Sequence, residues 1–119
     1  MAYFQFTKVK EILGQTGTSN DNKIQNYGEM ADTFINSYLT DVRNVSIPVT
    51  SSDFASTTEF NVLLDIANQL TVAYFYKFES GDTSTSDQAE AVWLRFFTSK
   101  FQRPRFKARG GEAWFMSFG

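Results

Sequence analysis

The chain has 119 residues, enough for one domain with a single hydrophobic core. It contains neither cysteine nor histidine, which removes thiol nucleophiles, disulfides, His general bases, haem ligation and the usual zinc sites from the inventory. The net charge of −2 hides a polarised molecule. Residues 1–94 hold five bases and twelve acids, a balance of −7, whereas residues 95–119 hold six bases and one acid, a balance of +5.

Residues 4–13 read as a short first helix, with Phe6, Val9 and Leu13, or Val9, Ile12 and Leu13, on one face and Lys8, Lys10 and Glu11 facing out. Gly14 to Asn20 is a loop by composition. Asn20 or Asp21 is placed to cap a second helix whose apolar stripe is Ile24, Tyr27, Ala31, Phe34, Ile35, Tyr38 and Leu39. Gly28 within it costs about 1 kcal/mol against Ala, and is expected where another helix approaches closely.

Val45-Ser46-Ile47-Pro48-Val49 is an extended connector, or at most an edge strand, because proline lacks the amide that a central strand needs. Ser56-Thr57-Thr58-Glu59 fits a capping box and opens a long helix from about Thr57 to Glu79. Its apolar residues, among them Leu63, Ile66, Leu70, Tyr74 and Phe78, occupy more than one stripe, as expected of a central helix packed on several sides. The loop Ser80–Thr85 ends it. Ser84 or Ser86 would cap a fourth helix with Ala89, Val92, Trp93, Phe96, Phe97 and Phe101 on one face. Pro104 should stop that helix near Arg103. The fold class expected is therefore all-α: a small four-helix domain over residues 1–102, followed by an extended basic–aromatic C-terminal arm over residues 103–119.

Chemistry is scarce. Asp53 with Glu59, and Asp82 with Asp87, are carboxylate pairs, but each sits where helix caps place acids. Asp65 lies among apolar neighbours, facing outward or pairing with a tail arginine. Gly14-x-x-Gly17 lacks the following Lys-Ser/Thr of a phosphate loop. No catalytic, cofactor-binding or metal-ligating set is assigned, and an enzyme is not expected. No run of 18 apolar residues exists, so no membrane span is expected. The N-terminus has no charged region followed by an apolar run, which points to a soluble chain made in a cytoplasm.

The arm carries the interaction signal. In an extended chain Arg103, Arg105, Lys107 and Arg109 share one edge and Pro104, Phe106 and Ala108 the other. Gly110-Gly111 then leads to Trp114, Phe115 and Phe118, rings of the kind that anchor interfaces. Three readings stay open for this segment: docking on a partner, a solvated tail, or phosphate contact with nucleic acid. The docking residues are expected to be Arg103, Arg105, Phe106, Lys107, Arg109, Trp114, Phe115 and Phe118.

The order of elements resembles the small head–tail connector (adaptor, or head-completion) proteins of tailed bacterial and archaeal viruses. The residues carrying the resemblance are Val9-Lys10-Glu11-Ile12-Leu13; Asp21-x-x-Ile24, Ala31-x-x-x-Ile35 and Leu39; the Pro48 link; Leu63-x-x-Ile66-Ala67 to Ala73-Tyr74-x-Tyr76; and Ala89-x-x-x-Trp93-Leu94. It spans residues 4 to 102 and does not extend to Trp114–Phe118. The resemblance implies a virion component at the neck. There a cyclic homo-oligomer, commonly of twelve copies, would sit beneath the portal protein, extend the DNA channel and receive a stopper or tail protein. Viral DNA would pass without sequence-specific binding, and C-terminal segments would contact the portal. The competing class is a small helical nucleic-acid-binding or regulatory domain that uses the basic segment.

Overall fold

The computed structural model describes residues 3–40, 42 and 45–102. It is all-helical, with no strand among the described residues: α1 (Phe6–Leu13), α2 (Asp21–Leu39), α3 (Thr57–Ser80) and α4 (Ser84–Phe97). A single 3₁₀ turn, Ser51–Asp53, precedes α3, and a π-helical turn, Thr98–Gln102, follows α4. The segment around Pro48 forms no strand, and its backbone bends at Ile47 and Pro48 rather than running extended.

α3 is the centre, packed against α1, α2 and α4. Leu63, Ala67, Leu70 and Ala73 are fully buried, and Ile66, Val72 and Tyr74 nearly so. Burying each large apolar side chain contributes about 1.5–3 kcal/mol, so this helix supplies much of the driving force. Its polar interior residues are satisfied: the Thr71 hydroxyl donates to the Ala67 carbonyl at 2.8 Å, and Asn68 pairs with Gln5. Gly81, at φ 80°, closes the helix in a left-handed conformation that a side chain would strain.

On α2 the residues Ile24, Gly28, Ala31, Ile35 and Leu39 are buried, with Tyr27, Phe34 and Tyr38 half-buried at the margins. The expected stripe is present. Gly28, however, does not receive a helix. The ring of Phe4 fills the notch, and a methyl at Gly28 would overlap it.

Phe4 is therefore not helical, and α1 begins at Phe6 rather than residue 4. Asp32 Oδ1 accepts the backbone N–H of both Tyr3 and Phe4, at 3.1 and 3.2 Å, and Asn68 Oδ1 accepts that of Gln5 at 2.7 Å. The Tyr3 hydroxyl donates to Asn36 at 2.7 Å and accepts from the Val49 amide at 2.9 Å. These side chains draw residues 3–5 onto α2 and α3 and fasten the connector to the same place.

The caps differ in detail from the sequence reading. Ser56 Oγ accepts the Glu59 amide at 3.3 Å, but the Glu59 carboxylate pairs with Lys100 at 3.0 Å, so half of the box forms. A complete box forms instead at Thr50 and Asp53, around the 3₁₀ turn. Asn20 and Thr83 stand at the N-cap positions of α2 and α4 without a side-chain cap bond. At α4 the acceptor is Asp82, which takes the amide of Ser84 at 3.1 Å and its hydroxyl at 2.8 Å. Ser86 is buried, and its hydroxyl donates to the Thr83 carbonyl at 2.9 Å.

α4 buries a narrow seam. Trp93 and Phe97 are buried, Ala89 and Phe96 half-buried, and Val92 is 41% exposed, outside the expected face. The reason is that α4 lies on α3, and the ring contacts of Tyr38 with Trp93 (6.3 Å) and Phe97 (5.5 Å) tie it to α2. Regular α-helix ends at Phe97, before the point that Pro104 suggested, and the wider turn after it swings Phe101 onto Phe54 and Phe97.

Candidate docking surface

The eight residues expected to dock, Arg103, Arg105, Phe106, Lys107, Arg109, Trp114, Phe115 and Phe118, lie outside the described residues. The structure does define their root. Phe101 is buried with its ring 5.5 Å from Phe54 and 5.8 Å from Phe97, and Lys100 reaches Glu59 in the first turn of α3. The described chain thus ends beside the start of α3.

At the other end of α3 the body has a groove. α2 and α4 meet through Tyr38 and Trp93, and beyond that contact they leave a hollow of about 520 Å³ over α3. Phe34 and Tyr74 form its floor, Met30 and Phe78 stand in it, and Glu29 and Glu90 flank it from α2 and α4.

The exposed ring is held rigidly. Phe78, 52% exposed, stacks on Tyr27 with ring centroids 5.6 Å apart and planes 14° from parallel, and the Lys77 ammonium lies 5.4 Å from its centre. Tyr27 is locked in turn by donating its hydroxyl to Glu79, which also pairs with Lys23 at 2.8 Å. That hydrogen bond pushes the Tyr27 hydroxyl up to about 12. In the floor, burial and then the bond to Glu90 (3.0 Å) raise the Tyr74 hydroxyl, so it stays a neutral donor. An apolar slot with a fixed ring and two carboxylates suits an aromatic or aliphatic side chain flanked by cations.

No family model, curated protein or solved structure matches the chain.

Three of the acids singled out in the sequence have structural uses. Asp53 accepts the Thr50 amide at 2.8 Å, Glu59 is tied to Lys100, and Asp82 caps α4. The Lys100 hydrogen bond holds Glu59 below the usual carboxylate range, and the Ser84 hydroxyl and amide do the same for Asp82. Asp65 and Asp87 are exposed. Gly14 is the left-handed cap of α1, and the Gly17 carbonyl accepts the Lys10 ammonium at 2.8 Å.

Sequence reasoning missed Asp32, a carboxyl that burial pushes up to about 6 against the pull of the Phe4 and Tyr3 amides. Its partners are 28 and 29 residues away in the chain, so no local signal marks it. It also missed the groove. The only hint was that Phe78 extends the apolar surface of α3 beyond what one seam can cover.

Proposed function

We propose that this chain is a head–tail connector subunit of a tailed virus, built into the neck as a ring that continues the portal channel toward a stopper or tail protein. The observation that carries the reading is the order of elements: a short α1, a longer α2, a proline-containing link, a long central α3, a polar loop, α4, and then the basic–aromatic segment. Two further features fit it. Three of the four carboxylates considered for acid–base work, Asp53, Glu59 and Asp82, serve as caps and ties. The balance of −7 over residues 1–94 suits the wall of a conduit, where like charge keeps DNA from adhering.

In this reading residues 103–119 are the docking arm, with Arg103, Arg105, Lys107 and Arg109 meeting acids on a partner and Trp114, Phe115 and Phe118 as anchors. The arm's cations also favour a second reading, a helical nucleic-acid-binding or regulatory domain. Two measurements separate them: the mass of the chain mixed with portal protein, and DNA binding as a function of salt. A defined ring-on-portal complex with weak DNA binding supports the connector. Tight DNA binding by the isolated chain with a steep salt slope, and no portal complex, overturns it.

A further inference from the structure

We infer that the groove between α2 and α4 is the seat of the basic segment, residues 103–109, of a second copy of this chain. The inference rests on the reading of that segment as a docking arm and not on the neck assignment.

The groove is chemically matched to the segment. Phe78 and Met30, 52% and 42% exposed, present apolar surface in a groove that Glu29 and Glu90 also line. Neither carboxylate joins an ion pair among the described residues: Glu29 accepts the Gln25 amide at 3.0 Å and Glu90 the Tyr74 hydroxyl at 3.0 Å. The cation in the lining, Lys77, is placed over the Phe78 ring. Arg105-Phe106-Lys107 offers one ring flanked by two cations, which complements an apolar groove lined by two carboxylates.

Chain reach decides whose groove is filled. The described chain ends beside Glu59, and Phe78 lies 19 residues further along α3, about 28 Å at the helical rise of roughly 1.5 Å per residue. Phe106 is four residues past Gln102, so full extension carries its backbone at most about 14 Å. A neighbouring body can receive it. With the donor at one end of each copy and the acceptor at the other, the contact is head-to-tail, which closes as a ring or propagates.

The test uses the full chain and two variants, the groove change E29K/E90K and the arm change R105E/K107E. Each is checked for wild-type helicity by circular dichroism and weighed by sedimentation over a concentration series. We expect the wild type to pass beyond dimers and each variant alone to associate at least about tenfold more weakly. Mixed one to one, the variants should regain association beyond dimers, since the intact arm of one fits the intact groove of the other and the charge-reversed arm fits the charge-reversed groove.

A wild type that stays monomeric at about 100 μM overturns the inference. So does a mixture in which the two variants fail to complement. If only the arm variant weakens association, the groove is wrong while the docking arm stands. If only the groove variant does, the arm is the wrong occupant. Failure of the self-associating wild type to bind portal protein would sink the neck assignment and leave this contact intact.

Discussion

Gly28 and Asp32 show how single positions on α2 serve the segment that precedes α1. Helix propensity alone would make Gly28→Ala favourable by about 1 kcal/mol. The Phe4 ring occupies that space, so we expect a net loss of about 1–3 kcal/mol in urea denaturation. In a Phe4→Ala background the sign should reverse, because the obstacle is gone. Asp32 titrates in an unusual direction. Burial lifts its carboxyl to about 6 from an ordinary 3.8, so the folded state holds its proton more tightly than the unfolded chain. The stability it contributes is present below pH 4 and lost as pH rises through about 6. Glu59 and Glu79, held low by Lys100 and Lys23, act oppositely: their contribution is lost as the solution is acidified. Asp32→Asn should therefore remove the decline in thermal stability between pH 4 and 7 relative to wild type. Asp32→Ala should cost about 1–3 kcal/mol, since the Tyr3 and Phe4 amides lose their acceptor.

Among the elements, α3 was the most legible, because an apolar surface wider than one stripe is what a helix with three packed neighbours requires. The caps were legible only as positions. At Ser56 the hydroxyl does cap, whereas the Glu59 carboxylate goes to Lys100, 41 residues away. At α4 the serines were the obvious candidates, yet Asp82 holds the Ser84 amide and hydroxyl. We expect Asp82→Ala to cost about 1 kcal/mol and to raise amide hydrogen exchange in the first turn of α4. Thr83→Ala should be close to neutral, its side chain making no cap bond. The stripe of α4 was read too wide at Val92, because the spacing says which residues share a face and not how much of that face a neighbour covers.

For the whole molecule, the described body has a continuous core from Tyr3 to Phe101. Truncation after Arg103 should then leave helicity and melting temperature nearly unchanged, while ring formation or attachment to particles is lost. Unfolding on truncation would place Trp114, Phe115 and Phe118 in the domain core and end their assignment as docking residues. The groove is the other half of that reading. Phe78→Ser should leave the fold intact, the ring being half-exposed, and should weaken association of the full chain. Sedimentation beside a melting curve checks both.

The sequence by itself determined the all-α class, the succession of four helices, the centrality of α3 and the chemical character of residues 103–119. Each follows from local rules: a 3.6-residue period, polar and glycine breaks, and runs of charge. The tertiary structure decided what sits in the Gly28 notch, which acid is buried, where Glu59 and Asp82 direct their carboxylates, and that Glu29, Phe78 and Glu90 border one hollow. These depend on side chains from separate helices meeting at fixed distances. Periodicity orients a face but does not name its neighbour.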